Sequence, residues 1–137
     1  MFRAKGNLLP SPTSNGCNLN IETIKQQIDK IGFIEITIKG NSMDPVLREG
    51  QTYFVKKISV KHLKKFQIIL FAENDQLISH YIRQIKINQN IEIKTKGINN
   101  NYFDKPISPD KIIGVYKEKI PFSLRIKHLA KDFLSGV

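Results

Sequence analysis

Cysteine is almost missing from this chain. Cys17 stands alone, so no intramolecular disulfide can form and a cystine framework is excluded. It lies in a polar Asn/Ser/Gly-rich stretch without a helix start beside it, which argues against a reactive thiol. Long apolar runs are missing too: the longest, around Ile68 to Phe71, has about four to five residues, against about 20 for a spanning helix. The basic opening, Met1 to Pro12, has no apolar core followed by small residues, so no secretory signal is expected. Acids are scarce beside bases, 12 Asp and Glu against 22 Lys and Arg, for a formal net charge of +10. Such an excess invites nucleic acid as a partner. The lysines, however, are spread over almost every expected strand and turn, paired only at Lys56-Lys57 and Lys64-Lys65. No zinc-finger spacing, aromatic stacking signature or helix-turn-helix accompanies them. The expectation is a solvated basic surface and no specific nucleic-acid partner. Attraction to anionic lipid or to an acidic substrate stays open. Localisation is expected in the cytoplasm or against the inner face of a membrane.

What is present is the patterning of one modest domain of 137 residues. Residues 1–20, with Gly6, Pro10, Pro12 and Gly16, read as an irregular arm. Asn20 is placed to cap a helix from Ile21 to about Ile31, with Ile21, Ile24, Ile28 and Ile31 on one face and Gly32 ending it. Ile34, Ile36 and Ile38 then alternate with Glu35, Thr37 and Lys39, a half-buried strand running into Gly40. Asp44-Pro45 looks like the start of a helix of about one turn. Further strands are expected at Tyr53 to Val55, Gln67 to Phe71, Leu77 to Ile87, Ile91 to Thr95 and Ile112 to Lys117. Turn compositions separate them at Asn74-Asp75, Asn88 to Asn90 and Gly97 to Asn101. This is a mainly β domain over 21–120. In the last segment, 121–137, Phe122, Ile126, Leu129, Phe133 and Val137 recur at helical spacing among Arg125, Lys127, His128 and Lys131. The plain expectation is a C-terminal amphipathic helix packed on the sheet; the sharper one is a basic amphipathic helix on a membrane surface.

Chemistry concentrates at three residues. Ser42 follows a strand and a flexible Gly40 and precedes Met43-Asp44-Pro45, where a tight turn holds a hydroxyl outward. Serines before Asp-Pro are often no more than turn residues. Here, though, the backbone N–H groups of Asn41, Ser42 and Met43 would also open the turn as an oxyanion hole. His80 sits in an aliphatic strand, where most histidines are structural. By alternation it shares the apolar side with Ile78 and Ile82, and an imidazole, with an unperturbed pKa of about 6.5, suits a general base near neutrality. Asp104, after the Gly97 to Asn101 loop and before Lys105-Pro106, is as readily an Asx-turn residue as the acid that orients His80. Ser, His and Asp together let an alcohol attack a carbonyl. The pattern calls for no metal or cofactor.

These residues carry a resemblance. Gly40-Asn41-Ser42-Met43-Asp44-Pro45-Val46-Leu47-Arg48-Glu49-Gly50 resembles the Gly-x-Ser-Met-x-Pro-x-Leu-x-x-Gly box of the signal peptidase and SOS-repressor (LexA-like) superfamily of serine peptidases. The similarity continues through Leu63 to Phe71, His80-Tyr81-Ile82, Thr95-Lys96-Gly97 with Asn99-Asn100 and Asp104, and Ile112-Ile113-Gly114-Val115. The resemblance implies a signal-peptidase-like β fold. It also implies Ser42 as nucleophile, His80 as base and later acid, and Asp104 as orienting acid, as in the Ser-His branch rather than the Ser-Lys one. The expected substrate is an extended peptide, bound by β-addition, with a leader or signal-like segment to be removed. Where that family usually carries Asp, this chain has Gln51, Gln67 and Ile98. The loss at Ile98 falls next to Gly97, in the functional region. The rival expectation is therefore a weakened or inactive relative that serves as a peptide-binding or repressor-like dimerisation module. Oligomeric state is left open.

Overall fold

The computed structural model describes residues 21–135. The expected arm over 1–20, with Cys17 and the Asn20 cap, lies outside them. Helix α1 (Ile21–Ile31) forms where isoleucines recur at helical spacing, with Glu22 in its first turn and Lys30 in its last, each matching the helix dipole. Ile24 and Ile28 are its buried face. Burying each fully is worth about 1.5–3 kcal/mol before entropy is counted. Gly32, at φ +99°, ends it, and its N–H bonds the Ile28 carbonyl at 2.8 Å.

Six strands follow: β1 (Phe33–Thr37), β2 (Thr52–Lys56), β3 (Gln67–Glu73), β4 (Gln76–Ile87), β5 (Ile91–Lys96) and β6 (Ile112–Lys119). They form one antiparallel sheet in the order β1-β2-β6-β3-β4-β5. The domain is mainly β, with all six strands where alternation in the sequence puts them. β3 and β4 are joined by a two-residue turn in which Asn74 and Asp75 take φ +53° and +63°, left-handed values that these short polar side chains tolerate. The last strand in sequence, β6, inserts between β2 and β3. Gly114 permits this: a Cβ there would stand 2.5 Å from the Lys56 carbonyl oxygen and 2.6 Å from Val55 Cγ1.

Alternation along the strands divides the interior into two clusters. Ile68, Leu70 and Tyr81 join Ile24, Ile28, Ile34, Ile36, Val55 and Tyr116 in the larger one. Ile69, Phe71 and Ile82 join Ile93 and Ile107 in the other. Tyr116 is wholly inside the larger cluster, and burial pushes its phenol above the usual tyrosine range despite its 2.6 Å hydrogen bond with Ser79 Oγ.

Helix α2 (Phe122–Ser135) closes the described chain. It does pack on the body, but not with the expected face. Leu124 packs against the larger cluster and His128 is buried, while Phe122, Ile126 and Leu129 are 74%, 49% and 45% exposed. The side chain of Phe133 and the residue Val137, the rest of the expected stripe, lie outside what the structure describes, and periodicity could not say which side of the helix meets the sheet. The docking side is decided by a hydrogen bond between Tyr81 and His128 and by Arg125, whose Nε donates to the Ile120 carbonyl at 3.0 Å. Among the described residues no helix is long and apolar enough to cross a membrane.

Candidate active site

Ser42 belongs to a loop closed at its neck by two hydrogen bonds, Ile38 N–H to the Gln51 carbonyl at 3.0 Å and Gly50 N–H to the Ile38 carbonyl at 2.9 Å. Gly40 takes φ +80° to turn the chain out of β1, a conformation in which a Cβ would be strained. Met43 and Leu47 are the loop's apolar anchors, at 2% and 0% exposure, joined by one bond from Leu47 N–H to the Met43 carbonyl at 2.9 Å. That single helical-type bond is all that forms of the helix suggested by Asp44-Pro45. The segment is a run of turns, and the Asp44–Pro45 peptide is cis. With its neighbours on the C-terminal side anchored inward, Ser42 is left half-buried at the surface. Asp44 N–H is bonded to the Asn41 carbonyl at 3.2 Å, whereas among the described residues the Ser42 and Met43 amides bond no backbone carbonyl.

β4 and β5 supply the rest. The structure brings Ser42, His80 and Asp104 into one line: Ser42 Oγ is 3.1 Å from His80 Nε2, and His80 Nδ1 is 2.5 Å from Asp104 Oδ2. His80 is 8% exposed and meets Phe71 edge to face. Its side chain and that of Asp104 retain 10% and 18% exposure, so the pair is shielded but reachable.

Asp104 arrives on a loop tied back to β5. Ile93 and Ile107 exchange backbone hydrogen bonds at 2.8 and 2.9 Å, and Asp104 N–H donates to the Thr95 carbonyl at 2.9 Å. The fully buried Thr95 then donates its hydroxyl to Asp104 Oδ2 at 2.7 Å. One carboxylate oxygen therefore serves both His80 and Thr95.

Three contributors lie in the Thr95-Lys96-Gly97 and Asn99-Asn100 segments of the resemblance, where the sequence assigns them no role of their own. Nothing in the alternation of β5 distinguishes Thr95 from a core threonine. Asn99 clasps the serine loop: its N–H bonds the Ser42 carbonyl at 2.9 Å, and its Nδ2 donates to the Asn41 and Asp44 carbonyls at 2.7 and 3.0 Å. Gly97 lies against the reacting groups; a Cβ there would be 3.0 Å from His80 Nε2, 3.0 Å from Ser42 Cβ and 2.7 Å from Asn100 Nδ2. Ile98, where an acid was expected from the resemblance, is half-buried and packs against the larger cluster. The carboxylate on His80 comes from Asp104 instead.

No curated protein matches the chain. The model of the Peptidase S24-like family matches residues 18–117, a span that holds the serine loop, His80, Thr95 and Asp104, and the chain belongs to that family.

Proposed function

We infer that this protein is a serine endopeptidase that removes a leader or signal-like segment from a peptide precursor. The observation that carries the reading is the unbroken line from Ser42 Oγ through the His80 ring to Asp104. With Asp104 accepting from Nδ1–H, the neutral ring presents its Nε2 lone pair to the serine hydroxyl. His80 takes the hydroxyl proton as Ser42 Oγ attacks the scissile carbonyl carbon, and the negative charge moves to the carbonyl oxygen. The Ser42 amide, flanked by those of Asn41 and Met43, is the donor set for that oxygen. The imidazolium beside Asp104 then protonates the leaving amine, the C–N bond breaks and an acyl-enzyme remains. Water attacks the ester with His80 as base, and the returned proton restores Ser42.

Family membership supports a peptidase-like fold, and that family also includes repressors. The substrate class is therefore proposed on the resemblance of the serine box, with a small precursor peptide bound as an extended strand. The deciding experiment pairs a serine-directed fluorophosphonate probe with cleavage of candidate precursors. Wild type is expected to be labelled at Ser42, and Ser42→Ala to lose both labelling and cleavage by at least about 10³-fold. Cleavage that survives Ser42→Ala would overturn the reading. A folded wild type that resists the probe at every pH would favour a peptide-binding module.

A further inference from the structure

The exposed stripe on α2 needs an explanation, because three large apolar side chains at i, i+4 and i+7 are kept in water. Phe122, Ile126 and Leu129 form it, at 74%, 49% and 45% exposure. The helix cannot roll to hide them without giving up its docking. On the other side Leu124 packs into the core, His128 is buried against Tyr81, and the Arg125 guanidinium lies over Phe66, 5.5 Å from the ring centroid. The stripe is thus held outward by the contacts that attach the helix.

Its surroundings are basic. Lys65 Nζ also lies 5.5 Å from the Phe66 centroid, so the Lys64-Lys65 turn stands beside the first turns of α2. Lys119, opposite Gln67 in the sheet register, reaches the same edge. Lys64, Lys65, Lys119 and Lys127 are all exposed. The stretches that build this rim, 57–72 and 119–131, contain no aspartate or glutamate, and the second is bounded by Glu118 and Asp132. Apolar side chains fringed by cations, without acids between them, match a layer that is apolar inside and anionic at its surface.

We propose that α2 docks this protein on an anionic bilayer, with Phe122, Ile126 and Leu129 at the boundary between headgroups and acyl chains and the lysine rim on the lipid phosphates. The proposal does not depend on the peptidase reading.

The chain contains no tryptophan, so Phe122→Trp creates a sole tryptophan in the full-length protein, excited selectively beyond the absorption of the four tyrosines. Its emission should shift to the blue on vesicles of phosphatidylglycerol and phosphatidylcholine, and the protein should float with them. Both effects should weaken with salt and be slight on phosphatidylcholine alone. Lys64→Gln and Lys127→Gln should each lower vesicle affinity about fivefold. Changing Phe122, Ile126 and Leu129 together to Ser should abolish flotation, with the circular dichroism spectrum and Ser42 labelling unchanged. Failure to shift or float with anionic vesicles overturns the proposal, as does equal flotation on neutral vesicles. A blue shift that grows with protein concentration in the absence of lipid also overturns it, because a second copy would then be covering the stripe.

Discussion

His80 and His128 are equally buried, at 8% exposure each, yet they are built into different machinery. They attach to consecutive residues of β4: His80 is one of them, and His128 is bonded to the next, Tyr81. Both rings have Nδ1 engaged, His80 by the Asp104 carboxylate and His128 by a phenol. His80 also offers Nε2 to the Ser42 hydroxyl. Tyr81 stacks nearly parallel to Phe66, with an interplanar angle of 13°, and places His128 where α2 meets the core. Burial alone therefore does not separate the two histidines; the carboxylate on one ring and the phenol on the other do. One strand carries a candidate reaction centre on one side and a docking joint on the other.

The comparison can be broken most severely by giving His80 the kind of neutral partner that Tyr81 gives His128. Asp104→Asn keeps the shape but removes the charge that stabilises an imidazolium and fixes the tautomer. The expected loss in cleavage, or in Ser42 labelling, is on the order of 10²–10⁴-fold. An Asp104→Asn enzyme as fast as wild type would remove Asp104 from the reaction centre.

This centre was partly legible in the sequence. Ser42 and His80 stand out because each interrupts a pattern, Ser42 by ending a strand in a Gly-x-Ser-Met-x-Pro turn and His80 by entering an aliphatic strand. Asp104 was no more than one of two readings, and its role depends on a loop whose path is set by the Ile93–Ile107 bridge, a long-range pairing that composition does not announce. Thr95 and Asn99 act through hydrogen bonds to residues distant in sequence, at positions where Thr and Asn are otherwise ordinary. The strands were legible because a period of two survives in isoleucine-rich segments. The face on which α2 docks was not, because polar His128 is what lies against the body, and a hydrophobicity pattern assigns a histidine to the solvent side.

A smaller disturbance comes from Gly97, which follows the β5 residue paired with Tyr81 and lies across from His80. Gly97→Ala puts a methyl 3.0 Å from His80 Nε2 and 3.0 Å from Ser42 Cβ. The two groups must part by a few tenths of an ångström, and Ser42 labelling should fall about 10–100-fold, while overpacking costs about 1–3 kcal/mol of stability. Gly114→Ala is the control at the other glycine of close approach. Its methyl meets the Lys56 backbone and Val55, so it should destabilise the sheet without singling out the reaction.

The mildest change tests the docking joint. Tyr81→Phe removes the hydroxyl from His128 and keeps the ring that stacks on Phe66 and packs in the larger cluster. Loss of one buried hydrogen bond should lower unfolding stability by about 1–2 kcal/mol. Hydrogen exchange should quicken first along α2, because one of its attachments to the sheet is gone. His80 faces the other way along β4 and keeps its bonds to Ser42 and Asp104, so the labelling rate of Ser42 should stay within about twofold of wild type. A large drop in labelling at unchanged stability would show that the joint and the reaction centre are coupled through the strand. Residues 80 and 81 would then no longer be separable, and lipid at α2 would have a route to the serine.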